Sequence, residues 1–105
     1  LIDQSPYSLD RWYHLAGVYD GSAAYLYVDG DLRAVDGAHS GLVSYSGFTE
    51  DRFAIGSFLD MNEEHNLKGM VDEAAIFDRA LSAEEVAAVA RESGLCEAAA
   101  CGRWL

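Results

Sequence analysis

Residues 12–30 read WYHLAGVYDGSAAYLYVDG. Two apolar, aromatic-rich runs are joined at Asp20-Gly21, and a second Asp-Gly pair, Asp29-Gly30, closes the stretch. A tight hairpin turn needs positive φ, which glycine adopts without steric cost. Asp-Gly between strand-like runs is therefore the strongest short-range hairpin signal. Ser22 also lies between the first two runs, which predicts a loop longer than two residues there. Side chains alternate along a strand, so Leu26 and Val28 share one face and Tyr25 and Tyr27 the other. The stretch predicts a central antiparallel hairpin on which the rest of the chain packs or pairs.

Upstream, residues 1–10 (LIDQSPYSLD) read as an irregular lead-in, with Pro6 among Ser and Asp residues, and the first strand starts at about residue 11. Downstream, Leu32 to Val35 is a short strand ended by a third turn signal, Asp36-Gly37. Residues 37–51 are rich in glycine and serine, with a short strand around Leu42, Val43 and Tyr45. Residues 53–58 (FAIGSF) make the next strand, in which Gly56 marks a bulge or a close approach of another backbone. The polar stretch DMNEEHN, residues 60–66, reads as a loop. Lys68 to Phe77 reads as a long strand, apolar on both faces and so central or covered on both sides. Asp72 would then lie among apolar neighbours, where a carboxylate needs a partner.

One helix is predicted, from Ala83 to about Ser93. Ser82 as N-cap and Glu85 three residues on form a capping box, Leu81 can staple onto Val86, and Gly94 closes the C-terminus. Its apolar stripe of Val86, Val89 and Ala90 is narrow, so the helix lies on the surface of something else. No internal repeat is visible. Several short strands followed by one capped helix predict an all-β fold, an antiparallel β-sandwich with one short C-terminal helix.

A chain of 105 residues makes one domain at most, and with half its residues apolar it is not disordered. Its net charge of −11, from 18 acidic residues against 7 Lys and Arg, leaves no basic footprint and would repel a phosphate backbone, so nucleic acid is excluded as a partner. The dispersed acids read either as a solvated surface or as loops gathering oxygen ligands for calcium. No apolar run approaches the roughly 18 to 20 residues that span a bilayer. Leu1 in place of Met reads as the start of a fragment or processed product. Cys96 and Cys101 cannot bridge inside a continuous helix; they form a local disulfide if the segment is a loop, or remain free thiols in a linker. Residues 1–95 are accordingly read as the domain and 96–105 as a tail or linker.

Four elements in order, WYHLAGVYDG, YLYVDG, FAIGS and LKGMVDEAAIFDRALSAEEV, resemble the laminin-G-like, concanavalin A-like jelly-roll superfamily over about residues 11–90. Members of that superfamily carry several strands before the tryptophan strand. The resemblance thus implies the C-terminal portion of such a domain, a jelly roll incomplete at its N-terminal side. Such a chain exposes strand edges, which predicts either a homodimer through them or a missing part removed after folding. The resemblance also implies a structural calcium held in part by Asp72; a carboxylate satisfied by backbone N–H groups or an arginine is the alternative.

Other candidate ligand-binding residues come from the loops. Tyr45 and Phe48 are aromatic side chains in the glycine-rich segment, where scaffolds of this kind carry sites. Asp60, Asn62 and Glu64 offer alternating oxygens suited to calcium or a polar ligand, without the glycine and terminal glutamate of an EF-hand. Trp12, Tyr13, Tyr25 and Tyr27 could stack on a sugar ring, although aromatics at strand spacing more often pack a core. Catalysis is not expected. A retaining glycosidase needs two carboxyl groups about 5 Å apart, whereas Asp72 and Glu73 would face opposite sides of a strand. His14, His39 and His65 are scattered, and no nucleophile motif is present. The expected function is a non-catalytic binding or adhesion module of a larger extracellular or cell-surface protein, of bacterial origin, with carbohydrate or protein as ligand. The alternatives are a structural or assembly domain and an enzyme accessory domain.

Overall fold

Three strands in chain order, β1 (Leu15–Tyr19), β2 (Ala24–Val28) and β3 (Asp31–Asp36), make one antiparallel sheet. The computed structural model that shows them describes residues 1–44, 46, 54–59 and 64–95. Tyr19 pairs with Ala24, so the first connection is a loop of residues 20–23, longer than two as the position of Ser22 implies. The Asp20 carboxylate organises it, accepting the Ser22 N–H at 2.8 Å and the Ala23 N–H at 2.9 Å. These backbone donors, Ala23 foremost, hold the Asp20 carboxyl below its ordinary range. In the second connection Val28 pairs with Asp31, leaving Asp29 and Gly30 as the turn at φ +53° and +84°. Positive φ at both positions is the type I′ pattern, whose twist matches that of the flanking strands. Register jumps from Leu26–Ala34 to Tyr27–Leu32, so Arg33 is the extra residue of a β-bulge.

The antiparallel hairpin forms as expected, with β2 the central strand and β1 at the edge, but its first strand begins at Leu15 rather than near residue 11. Tyr27 and Val28 point to opposite faces of β2 and both are buried, Val28 to 1% exposure, so this end of β2 is covered on both sides. Ala23 is also buried, and so is Val86 of the helix α1 (Ala83–Leu95), at 0% exposure. The capping box forms as read: the Ser82 N–H donates to Glu85 Oε2 at 2.8 Å and the Glu85 N–H to Ser82 Oγ at 3.2 Å. Gly94 does not end the helix, which continues to Leu95. A glycine inside a last turn costs only about 1 kcal/mol relative to alanine, too little to force termination. The surface under the helix is the hairpin turn: a Cβ on Gly30 would lie 3.3 Å from the Ala87 Cα and 3.5 Å from the Ala90 Cβ. The narrow alanine stripe is what permits that approach.

Among the described residues, 1–43 and 76–95 form one compact unit, and those between 44 and 75 a second. In the second, β4 (Ser57–Leu59) pairs antiparallel with β5 (Glu64–Asn66). Part of the stretch read as a polar loop is therefore a strand. The pairing is fastened by Ser57 Oγ donating to Asn66 Oδ1 at 2.8 Å and by the Leu67 N–H donating to the Gly56 carbonyl at 2.7 Å. The strand expected over 53–58 begins only at Ser57, so Gly56, at φ +75°, precedes it, and a Cβ there would meet the Leu67 side chain at 3.4 Å rather than another backbone.

Two expected strands do not form among the described residues, and Tyr45 of the first lies outside them. Leu42 and Val43 are irregular and exposed. Among the described residues Lys68 to Phe77 is not a strand, and Glu73 within it lies at a positive φ of +53°. Met70 and Ile76 are 76% and 74% exposed. Asp72 is likewise exposed rather than buried among apolar neighbours, and its Oδ1 accepts the Glu73 N–H at 2.9 Å. Cys96, Cys101 and the whole of 96–105 lie outside the described residues. The described chain is thus β-rich, with two antiparallel sheets and one helix.

Candidate functional site

Of the side chains singled out from sequence, Tyr45, Phe48, Asp60 and Asn62 lie outside the described residues. Tyr27 belongs to the core, and the Tyr25 hydroxyl is engaged with Asp20 Oδ2 at 3.0 Å, which raises its pKa. Trp12 is exposed. Among the described residues no group of three His, Cys, Asp or Glu could hold a metal ion.

A different set of side chains converges on the surface. It begins in the lead-in, where Asp3 folds residues 3–5 into an Asx-turn by accepting the Ser5 N–H at 2.8 Å. The other Asp3 oxygen accepts the Tyr7 hydroxyl at 2.5 Å. Tyr7 and Tyr13 meet edge to face, centroids 5.2 Å apart at 81°. The Arg11 guanidinium lies 4.5 Å over the Tyr13 ring and donates to Asp29 Oδ2 at 2.7 Å. At the other end, Arg33 donates to Ser5 Oγ at 3.4 Å. The contacts run without interruption from Arg33 through Ser5, Asp3, Tyr7, Tyr13 and Arg11 to Asp29. Both ends are fixed on the β2–β3 hairpin, Arg33 at its bulge and Asp29 in its turn.

The electrostatics follow from these contacts. The Tyr7 hydroxyl, then Ser5, holds the Asp3 carboxyl down at about 2, and the same bond raises Tyr7. The Ser8 N–H donates to the Tyr13 hydroxyl oxygen at 2.8 Å, which favours its anionic form and lowers its pKa. Behind the cluster, His14 is half-buried and its Nδ1 is buried with no partner. Burial lowers its pKa, partly offset by Asp29. The surface offers ionised acceptors, guanidinium donors and ring faces, a set suited to holding a polar ligand. It contains no pair of carboxyl groups poised for proton transfer. Sequence reading passed over Asp3, Ser5, Tyr7, Arg11 and Arg33; an Asp-x-Ser turn signal just before Pro6 and Tyr7 was the trace they left.

The family model described as the concanavalin A-like lectin/glucanases superfamily matches residues 1–87. A crystal structure of an S-layer domain-containing protein from Clostridium thermocellum is similar, with a TM-score of 0.70 and 29% sequence identity. The match covers 84% of this chain and 43% of that one, so the chain spans less than half the length of its structural neighbour. No curated protein matches the chain.

Proposed function

Since the chain belongs to the concanavalin A-like lectin/glucanases superfamily, we propose that it is a non-catalytic binding or adhesion module of a larger bacterial cell-surface or secreted protein. Its ligand is carbohydrate or another protein. The observation that carries this reading is the match over residues 1–87 to a superfamily of lectins and glucanases. The S-layer neighbour supports the cell-surface setting, and the exposed polar and aromatic surface built from the lead-in supports binding. Among the described residues no helix is long and apolar enough to cross a membrane. Glycan and protein arrays, run beside an assay for released reducing sugar, test it. Binding without sugar release is expected; sugar release would make the chain an enzyme, and silence on both arrays would leave the assembly reading.

That second reading, pairing of exposed strand edges in a homodimer, draws on one feature. β1 and β3 are the outer strands of the three-stranded sheet, and they carry exposed Leu15, Leu32 and Val35. Molecular mass by light scattering tests it.

Calcium takes about six to eight oxygen ligands. Asp72 is exposed and uses one oxygen within its own turn, and no acidic group of three stands among the described residues. Asp72 and, separately, the alternating oxygens of Asp60, Asn62 and Glu64 are the residues we propose for calcium, and calorimetric titration of the metal-free chain with calcium tests it.

A further inference from the structure

We infer that the surface formed by Arg33, Ser5, Asp3, Tyr7 and Tyr13 is the binding site for a neutral pyranose. The inference rests on the reading of the chain as a binding module and says where on it, and by what chemistry, a sugar is held.

A pyranose shows a rim of hydroxyls, each both donor and acceptor, around an apolar C–H face. Holding one needs a fixed acceptor, a fixed donor and an aromatic surface side by side. Asp3 is the acceptor. A carboxylate has about four lone-pair sites; the Ser5 N–H and the Tyr7 hydroxyl occupy two of them and the Ser5 hydroxyl also bears on the carboxylate, which leaves room for a ligand hydroxyl. Arg33 is the donor. Its fork carries five N–H groups, and its hydrogen bond to Ser5 Oγ is long, 3.4 Å. Arg11 and Arg79, by contrast, are committed to Asp29 and Glu85 at 2.7 Å. Ser5 stands between acceptor and donor with a hydroxyl that can serve as either.

The aromatic surface is the corner of the Tyr7–Tyr13 pair. Tyr7 is 46% exposed and meets Tyr13 at 81°, so one ring is a floor and the other a wall. The corner is fixed before any ligand arrives: Asp3 holds the Tyr7 hydroxyl, the Ser8 N–H holds that of Tyr13, and Arg11 backs the Tyr13 ring. A platform already ordered loses little conformational freedom on binding. Two observations select a neutral ligand. The chain carries a net charge of −11, which repels anions at a distance. Asp3, held ionised in the middle of the site, repels them at contact.

The test is an NMR titration of the 105-residue chain with the methyl glycosides of glucose, mannose and galactose, and with methyl glucuronoside as the anionic control. Saturable shifts of the Tyr7 and Tyr13 ring signals and of the Ser5 amide are expected with at least one neutral sugar, and weaker ones with the glucuronoside. Asp3→Asn should weaken binding about tenfold by removing a charged hydrogen-bond partner. Arg33→Gln should do the same while leaving the Asp3–Tyr7–Tyr13 contacts in place, so a loss there is not a loss of the fold. Shifts that map to other residues would overturn this site and leave the binding-module reading standing. Tighter binding of the glucuronoside would overturn the neutral class. Absence of any shift up to the solubility of the sugars would overturn the inference, while the protein arrays still decide the wider reading.

Discussion

Asp29 ties the lead-in to the sheet through three bonds. Its carboxylate accepts the Arg11 guanidinium and, at 2.9 Å, the His14 N–H; its own N–H donates to the His14 carbonyl at 2.8 Å. It does so at φ +53°, a conformation that Asp tolerates and alanine does not. The exposed ion pair itself contributes little; the backbone bond and the turn conformation matter more. Asp29→Ala should therefore cost about 2 kcal/mol, and Asp29→Asn, which keeps an acceptor and the tolerance for positive φ, about half as much. Urea unfolding with an unchanged m-value checks both, and equal costs would sink the argument. The turn itself was legible in the sequence because Asp-Gly is a local signal. The anchoring was not, because it joins side chains that no periodicity relates.

At the scale of elements, Gly30 and Gly21 separate two effects. Both have positive φ, but a Cβ on Gly21 meets open space whereas one on Gly30 meets α1. Gly21→Ala should cost about 1 kcal/mol for backbone strain alone, and Gly30→Ala at least about 1 kcal/mol more because the helix must shift. Equal losses of thermal stability in the two variants would mean that helix and turn are not packed as described. The start of α1 is also sensitive to acid. Arg79, bound in two places at 2.7 and 2.8 Å, and then the Ser82 N–H hold Glu85 down at about 2, from an ordinary 4.5. A carboxyl depressed by folding stabilises the native state above its unfolded pKa. That contribution is lost as pH falls from 4.5 towards 2. Helical circular dichroism should drop across this window, and Glu85→Gln should flatten the drop. The capping box was readable because Ser82 and Glu85 are three residues apart; the role of Arg79, six residues from Glu85 and outside the helix, was not.

For the molecule as a whole, the side chains left in water matter as much as those buried. Leu15 on β1 and Val35 on β3 stand exposed on the outer strands. If edges pair between copies, light scattering gives twice the chain mass, and Leu15→Lys or Val35→Lys returns the monomer, since an edge lysine opposes pairing. A wild-type chain that is monomeric with a cooperative melt would remove that reading. Composition had marked Lys68 to Phe77 as a strand because it reports what a segment can form. Whether a neighbouring strand exists to pair with it is a property of the whole chain, and among the described residues the segment is not assigned to a strand. The converse holds for Glu64–Asn66, polar enough to read as loop yet paired because Ser57–Leu59 is there to accept it. The surface joining Arg33 to Asp29 was hidden for the same reason, since its members come from the lead-in, the sheet edge and the turn.

The two tight turns also order events in time. β1, β2 and β3 follow one another through connections of a few residues, so every pairing of this sheet is local and can form on the microsecond scale of hairpins. Gly30 and Ala87 are more than half the chain apart, and bringing them together closes a long loop at an entropic cost. The helix therefore docks after the sheet has formed. In stopped-flow kinetics Gly30→Ala should quicken unfolding more than Gly21→Ala does while slowing refolding by no more than Gly21→Ala, because the extra cost lies in the helix contact made late.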